Sequence, residues 1–536
     1  MLPADPSIEL LRKRAKQLLR SARRGDPEAL ARCRAALPRL AALGDDALAA
    51  SIRLADAQHA IAREQGAASW PKLRRQVEDL LPLAKRAELF LTAIRDRKLG
   101  TAKRLLARYP DVGRANLFAA AAAGEAEALA TLLAAYPQLA SAPHPGDGWT
   151  PLVYACWSAL HTSSPERARG IARAVEILLD RGVSANEHVL HDPADPNSKL
   201  PALYWACVSG HTAVVELLLA RGADPNDGES IYHAAELDRR DCLELLARHG
   251  ADFSGRHAHW GNTPLFFLAG YKEWAEQSAT ATAGMRWLLE HGADPDVTSY
   301  ESRETPLHRV AAYGRGPAVA EMLLAHGATL DVERADGRTP YVLAVRTGNL
   351  AMAAFLRERG ADPTKLTTVD ELLGACLAAD EPRARALLAA EPTLLERFGE
   401  EDHQAFALAS EEKREASVRL MHALGFDLAW EGGWGGTPLH HAAWHGDVGM
   451  TRLLLSLGAP IDIRDKQFGS SPIGWAGHGS AHCRRADHDY VAVVSALLDA
   501  GASREASINR WGEPPEAMST RAVALLLRQR GFAPGG

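Results

Sequence analysis

His441 and His445 stand four residues apart, so on a helix their imidazoles share one face. His478 follows in a similar local context, and His482, Cys483 and His488 crowd the stretch after it, with Asp487 and Asp489 among them. Two imidazoles at i,i+4 and a third from a neighbouring element suit zinc or copper, and a carboxylate could complete the set. The spacing is not HExxH: Ala442 follows His441 and no glutamate base accompanies the pair. Without a metal, His441, His445 and His478, together with Arg309, are candidate acid/base groups. The reading preferred is plainer: a polar, pH-sensitive part of a binding surface, with no metal and no cofactor.

Other reactive patterns are missing. The sequence has no GxSxG, P-loop, GxGxxG or zinc-ribbon spacing, so the balance falls against an enzyme. EGGWGG (431–436) lacks the strand-to-helix setting that a phosphate cradle needs and reads as an irregular turn. The cysteines at 33, 156, 207, 242, 376 and 483 lie far apart without a CxxC pair, which suits reduced thiols in a cytoplasm. The start has no apolar stretch behind its basic residues, and no run of about 18 apolar residues occurs, so neither secretion nor a membrane span is expected. The net charge of −6 speaks against nucleic acid as the partner. It is unevenly spread, because residues 1–84 carry 15 Lys/Arg against 10 Asp/Glu.

The elements that must position these groups are written in a repeat. A Leu-rich segment ending in Gly-Ala-Asp recurs as LLLARGADPN (217–226), LLARHGADF (245–253), LLEHGADPD (288–296) and FLRERGADP (355–363). A second phrase opens each unit: GWTPLVYAC (148–156), GNTPLFFLA (261–269), ETPLHRVAA (304–312), GRTPYVLAV (337–345) and GTPLHHAAW (436–444). From Gly327 to Gly360 the step is 33 residues. The longer gap from Gly360 to Gly458 holds Gly425 near one period from its end, so it hides degraded repeats and is no linker. Two phrases in fixed order resemble the ankyrin repeat. That resemblance implies an all-α ankyrin-repeat solenoid of about twelve stacked helix-turn-helix units with short hairpin-like turns.

The threonines at 150, 263, 305, 339 and 437 are expected to cap the first helix of a unit, each followed by a proline suited to its first position. Glycines such as Gly222 and Gly360 end the second helix with left-handed φ. By the family pattern, His440 is the structural histidine of TPLH and His211 that of the Gly-His loop; Cys156 and Cys207 are packing residues. The resemblance also implies that first helices line a concave face. Register on the small-residue pair then names a binding groove: Tyr154, Trp157, Trp205, His233, Glu236, Phe267, Tyr271, Arg309, Tyr313, Leu343, Arg346, His441, Trp444, His445, Trp475 and His478. Trp149, Trp260, Trp430 and Trp434 are turn tips on the same side. Tryptophan and tyrosine bring large contact area at low entropic cost, which is why they dominate binding hot spots.

Three stretches, 161–170, 272–284 and 480–490, fall between first and second helices and are read as insertions able to wall or roof the groove. Residues 1–84 form a helical leader or cap, 85–512 the solenoid and 513–536 a closing helical cap. Through LADAQHAIAREQGAASWPKL (54–73) the leader looks like that of bacterial ankyrin proteins. The functional expectation is a cytoplasmic scaffold holding a protein or peptide in an aromatic groove, with no nucleic acid and no membrane. The alternative is an enzyme or small-molecule binder using the groove as a pocket; self-association of basic leader with acidic body ranks below both.

Overall fold

The computed structural model describes residues 8–192, 194–271, 278–432, 435–483 and 487–532. Trp434, and the parts 272–277 and 484–486 of two expected insertions, lie outside the described residues. By internal contacts the chain forms two units. One comprises 1–234 with 239–251, the other 235–238 with 252–536, and the boundary falls within the helix Ser230–Glu236.

The first unit begins with the leader helices Ile8–Arg23, Pro27–Ala36, Asp45–Ser51, Leu54–Glu64 and Trp70–Leu80. They bury their own core around Leu18, Leu30, Leu48, Ile61 and Leu73. Ser69 caps the last of them. Buried Glu78 on that helix receives Arg104 at 2.6 Å, which ties the leader to the first repeat. Helix pairs follow at Leu83–Arg95 with Leu99–Arg108, Leu117–Ala123 with Ala126–Ala135, Pro151–Trp157 with Pro165–Asp180, and Ala202–Ser209 with Thr212–Ala220. Between the last two pairs, His188–Leu190 and Lys199–Pro201 form an antiparallel hairpin with Val189 opposite Leu200. The turn between those repeats has grown into this hairpin, which the repeat pattern does not foretell.

The second unit continues the pairing from Pro264–Ala269 with Ser278–Glu290 to Pro472–His482 with Tyr490–Asp499. It closes with Arg504–Ser507, Pro515–Met518 and Arg521–Gln529. The stretch between Gly360 and Gly458 holds helices Thr368–Leu377, Glu381–Ala390, Glu400–Glu411 and Glu415–Ala423, so the degraded repeats are real helix pairs. Their core runs through Leu372, Phe406, Met421, Leu439 and Leu454 to Val493 and Leu527. Successive repeats approach closely through small residues: a Cβ on Gly374 would stand 2.1 Å from the Val345 carbonyl oxygen, and one on Gly479 2.5 Å from that of Trp444.

Capping follows the sequence reading at Thr150, Thr263, Thr305 and Thr339, whose hydroxyls accept the N–H three residues on. The Thr437 hydroxyl, like that of Thr305, lies 2.8 Å from the Nδ1 of the histidine three residues on, His440 and His308 respectively. Gly222 and Gly360 take φ of +87° and +95°, as a second-helix terminus requires. The insertions differ from expectation in the described parts. Ser164 caps, Pro165 starts, and 165–170 become the opening turns of one long second helix. Residues 278–284 likewise lie within the helix Ser278–Glu290, and 480–482 lengthen a first helix. Each of these described parts lies within a helix and is not a free loop able to roof a groove.

Candidate functional site

The expected groove residues fall into three environments. In the first unit the aromatic row packs on itself. Trp149 lies 4.7 Å and Trp157 5.0 Å from Trp205, ring centre to ring centre. Trp205 is only 8% exposed, and its indole N–H reaches the Leu200 carbonyl of the hairpin. Tyr154 is fully buried and donates to Asp147 at 2.5 Å, with its pKa raised by burial and by that carboxylate. These two side chains are therefore covered by neighbouring rings and by the hairpin. Trp157 carries the Arg97 guanidinium 4.3 Å above its ring and donates to the Arg95 carbonyl. His233 is half-buried, edge-on to Tyr204 and 3.4 Å from Glu229.

In the early repeats of the second unit the chain's own charges occupy the inner positions. Tyr271 donates to Glu236 and packs against Phe267. Arg309 is sandwiched between Phe266 at 4.8 Å and Tyr313 at 4.4 Å. Leu343 is buried. Arg346, 8% exposed, is no free groove residue: it pairs with Asp370 at 3.1 Å and Asp402 at 2.6 Å. Arg338 joins Asp370 at 3.2 Å, and Arg334 joins Glu304 at 2.8 Å, making a ladder of ion pairs across repeats. Of the expected tips, Trp260 is 68% exposed and Trp430 stacks on His403.

The last repeats are different. His441, Trp444 and His445 from one inner helix and its cap, and Trp475 and His478 from the next, line a cavity of about 500 Å³. Glu411, Phe468, Asn509, Trp511, Glu513 and Met518 also contribute to the lining. Each wall is held in place. Asp465, buried in the turn before the Trp475 helix, accepts the Trp475 indole N–H at 3.0 Å and the Ser470 amide at 2.9 Å. Phe468 and Trp444 stand edge-on to Trp475, with ring centres 5.6 and 6.2 Å away. Asn509 accepts the amides of Trp511 and Glu513, fixing the final turn, and its side-chain amide donates to Glu513 at 2.9 Å.

His440 and His441 are neighbours with opposite roles. His440 Nδ1 accepts the Thr437 amide and Nε2–H donates to the Ser470 carbonyl of the next turn, so it bridges two repeats. Burial lowers its pKa to about 4, which keeps it neutral. His441 lies 2.6 Å from Glu411 Oε1 through Nδ1, so Nδ1–H donates to the carboxylate. Its Nε2 is buried without a hydrogen-bond partner, in a side chain 4% exposed that lines the cavity. His478 sits on the cavity edge beside Trp444, and desolvation by its surroundings holds its pKa below the ordinary imidazole value.

Among the described residues no group of three or more His, Cys, Asp and Glu side chains could hold a metal ion. His441 is engaged by Glu411, His445 Nδ1 faces Cys483 Sγ at 3.6 Å, and His478 packs on Trp444 and His482. Sequence reasoning missed Glu411, Asp465, Phe468, Asn509, Trp511 and Glu513. A signal existed for the last turn: NRWGEPPEAM (509–518) sets a Trp beside a Gly ahead of a proline-led helix, as GWTPL (148–152) does with the two in the opposite order.

Stacked helix pairs built on one recurring pattern define a repeat protein. Family models for ankyrin repeats match residues 117–229, 167–257 and 273–367, and a single-repeat model matches 434–466, together about half the chain. The chain belongs to the ankyrin-repeat family. It is 28% identical to mouse ankyrin repeat and SOCS box protein 16 over 40% of this chain and 56% of that protein. It is 26% identical to the human transient receptor potential cation channel subfamily A member 1, over 52% of this chain and 22% of the channel. With mouse palmitoyltransferase ZDHHC13 the identity is 32% over 29% of this chain and 24% of that protein. The chain thus spans about half or less of these relatives. All three are mammalian and add nothing to the bacterial likeness of the leader. The human ASB11 ankyrin repeat domain shares 25% identity over 46% of this chain and 99% of that one, at a TM-score of 0.35. No helix among the described residues is long and apolar enough to cross a membrane.

Proposed function

We propose that this protein is an interaction scaffold that holds a protein or peptide on the inner helices of its repeats, anchored in the cavity between Trp444, Trp475 and Trp511. The observation that carries the reading is that cavity: two successive inner helices and the following turn enclose about 500 Å³ of mostly aromatic wall. Trp205 and Trp475 are both 8% exposed, but Trp205 is closed over by Trp149, Trp157 and the hairpin, whereas Trp475 borders this cavity together with Trp444. A rigid, preformed aromatic recess is where a partner's side chain gains most on burial. The groove in this reading is shorter than the full row of Tyr154, Trp157, His233, Phe267, Tyr271, Tyr313 and Arg346.

Selection of peptides from a random display library on the full chain tests this. Enriched peptides should lose binding to Trp444→Ala, with circular dichroism unchanged. Enrichment that is indifferent to that substitution removes the cavity from the reading.

One observation favours chemistry instead: the Glu411–His441 pair with an unpartnered Nε2 at a cavity has the form of an oriented general base. Hydrolysis of activated esters by wild type and His441→Ala decides it, and equal background rates dismiss the enzyme.

A further inference from the structure

We propose that the cavity takes an arginine side chain from the partner; this rests on the scaffold reading above. Among the described residues the lining holds the carboxylates of Glu411 and Glu513 and no lysine or arginine. Around these charges stand the rings of Trp444, Phe468, Trp475 and Trp511, whose negative faces attract a cation. The buried, unpartnered His441 Nε2 adds an acceptor, because its Nδ1–H is committed to Glu411.

The rest of the inner surface shows what such rings accommodate. Arg97 covers Trp157 at 4.3 Å, and Arg309 fills the gap between Phe266 and Tyr313. Among the described residues no guanidinium or ammonium stands over Trp444 or Trp475. Arg510 is near Trp511, 6.0 Å from its ring centre, but donates to the Gln467 carbonyl and is not part of the lining. A planar guanidinium is more weakly hydrated than an ammonium, stacks on indole faces and can donate to a carboxylate and to Nε2 together. Arginine therefore satisfies the rings, the charges and the orphan acceptor with one group.

The test compares Nα-acetyl-arginine methylamide with its citrulline counterpart, a neutral group of the same shape, by titrating the full chain and following the tryptophan indole ¹⁵N–¹H signals. The arginine compound should shift cavity indoles at least about tenfold more tightly than citrulline, as a desolvated cation–π contact predicts. Glu513→Gln, at an exposed position, should weaken arginine severalfold and leave citrulline unchanged. Raised salt should weaken arginine alone. Equal affinities for the two compounds overturn the proposal, as does an arginine response indifferent to Glu513→Gln. Library peptides that need Trp444 yet show no arginine enrichment would sink this inference and leave the scaffold reading intact. Peptides indifferent to Trp444 would sink the scaffold reading itself.

Discussion

Removing the carboxylate of Asp370 should unseat the inner face of the second unit's central repeats. Asp370 is fully buried. Its Oδ1 receives Arg338 at 3.2 Å and Arg346 at 3.1 Å, and its Oδ2 accepts the Thr367 amide and hydroxyl at the helix start. In Asp370→Ala, Arg346 stays 8% exposed with Asp402 alone. Breaking a buried pair by deleting one partner costs roughly 3–5 kcal/mol, because the other charge remains desolvated. Loss of the cap adds about 1 kcal/mol. Asp370→Asn keeps an acceptor for the cap and should cost clearly less. Removing the stranded cation as well, in Asp370→Ala/Arg346→Met, should recover on the order of 2 kcal/mol relative to additivity. Urea unfolding of the full chain by circular dichroism gives the scale. Hydrogen exchange at Pro340–Arg346 and Thr368–Leu377 gives the location, since a two-unit repeat protein need not unfold in one step. If Asp370→Ala costs less than about 1 kcal/mol, or exchange rises only in distant helices, the ladder is ornamental and the reasoning from burial is wrong.

Three further outcomes follow from the same structure. His440 has a folded pKa of about 4 against an ordinary 6.5, so its contribution is complete above pH about 6.5 and drains away as pH falls towards 4, by roughly 3 kcal/mol. Urea midpoints of wild type should therefore fall more steeply over that window than those of His440→Asn, and parallel curves would contradict the assignment. Gly374→Ala drives a Cβ to 2.1 Å from the Val345 carbonyl and should cost about 1–3 kcal/mol or more. Gly458→Ala, which meets open space at φ +87°, should cost only about 1 kcal/mol; thermal melts of the two showing equal loss would refute the close approach. Five of the six cysteines are buried and Cys483 is half-buried, so a thiol reagent should label one site quickly in the native chain. Mass spectrometry finding a second fast site, such as Cys207, would contradict that packing.

The repeat itself was legible because its physics is local. Thr-Pro sets a helix start, Gly sets an end, and small residues such as Ala442 and Ala443 mark where neighbouring helices meet. Even the degraded copies between 363 and 433 betrayed themselves through period alone. The cavity was half legible. Register placed His441, Trp444, Trp475 and His478 on adjoining inner helices, and they do line one space. Register could not say which inner residues would be covered. Arg346 reads as a free groove cation until Asp370 and Asp402, each from a later degraded repeat, are found against it. Trp205 reads as an anchor until the hairpin at 188–201 and the rings of Trp149 and Trp157 close over it. Such covering depends on contacts between repeats, which no single repeat's pattern encodes.

Hydrogen–deuterium exchange of the full chain with and without a library-selected peptide bears most directly on the central claim. Protection should concentrate in 438–445, 472–482 and 507–518, the segments that wall the cavity. Protection elsewhere, with those three segments unchanged, would mean that the partner is held by some other surface.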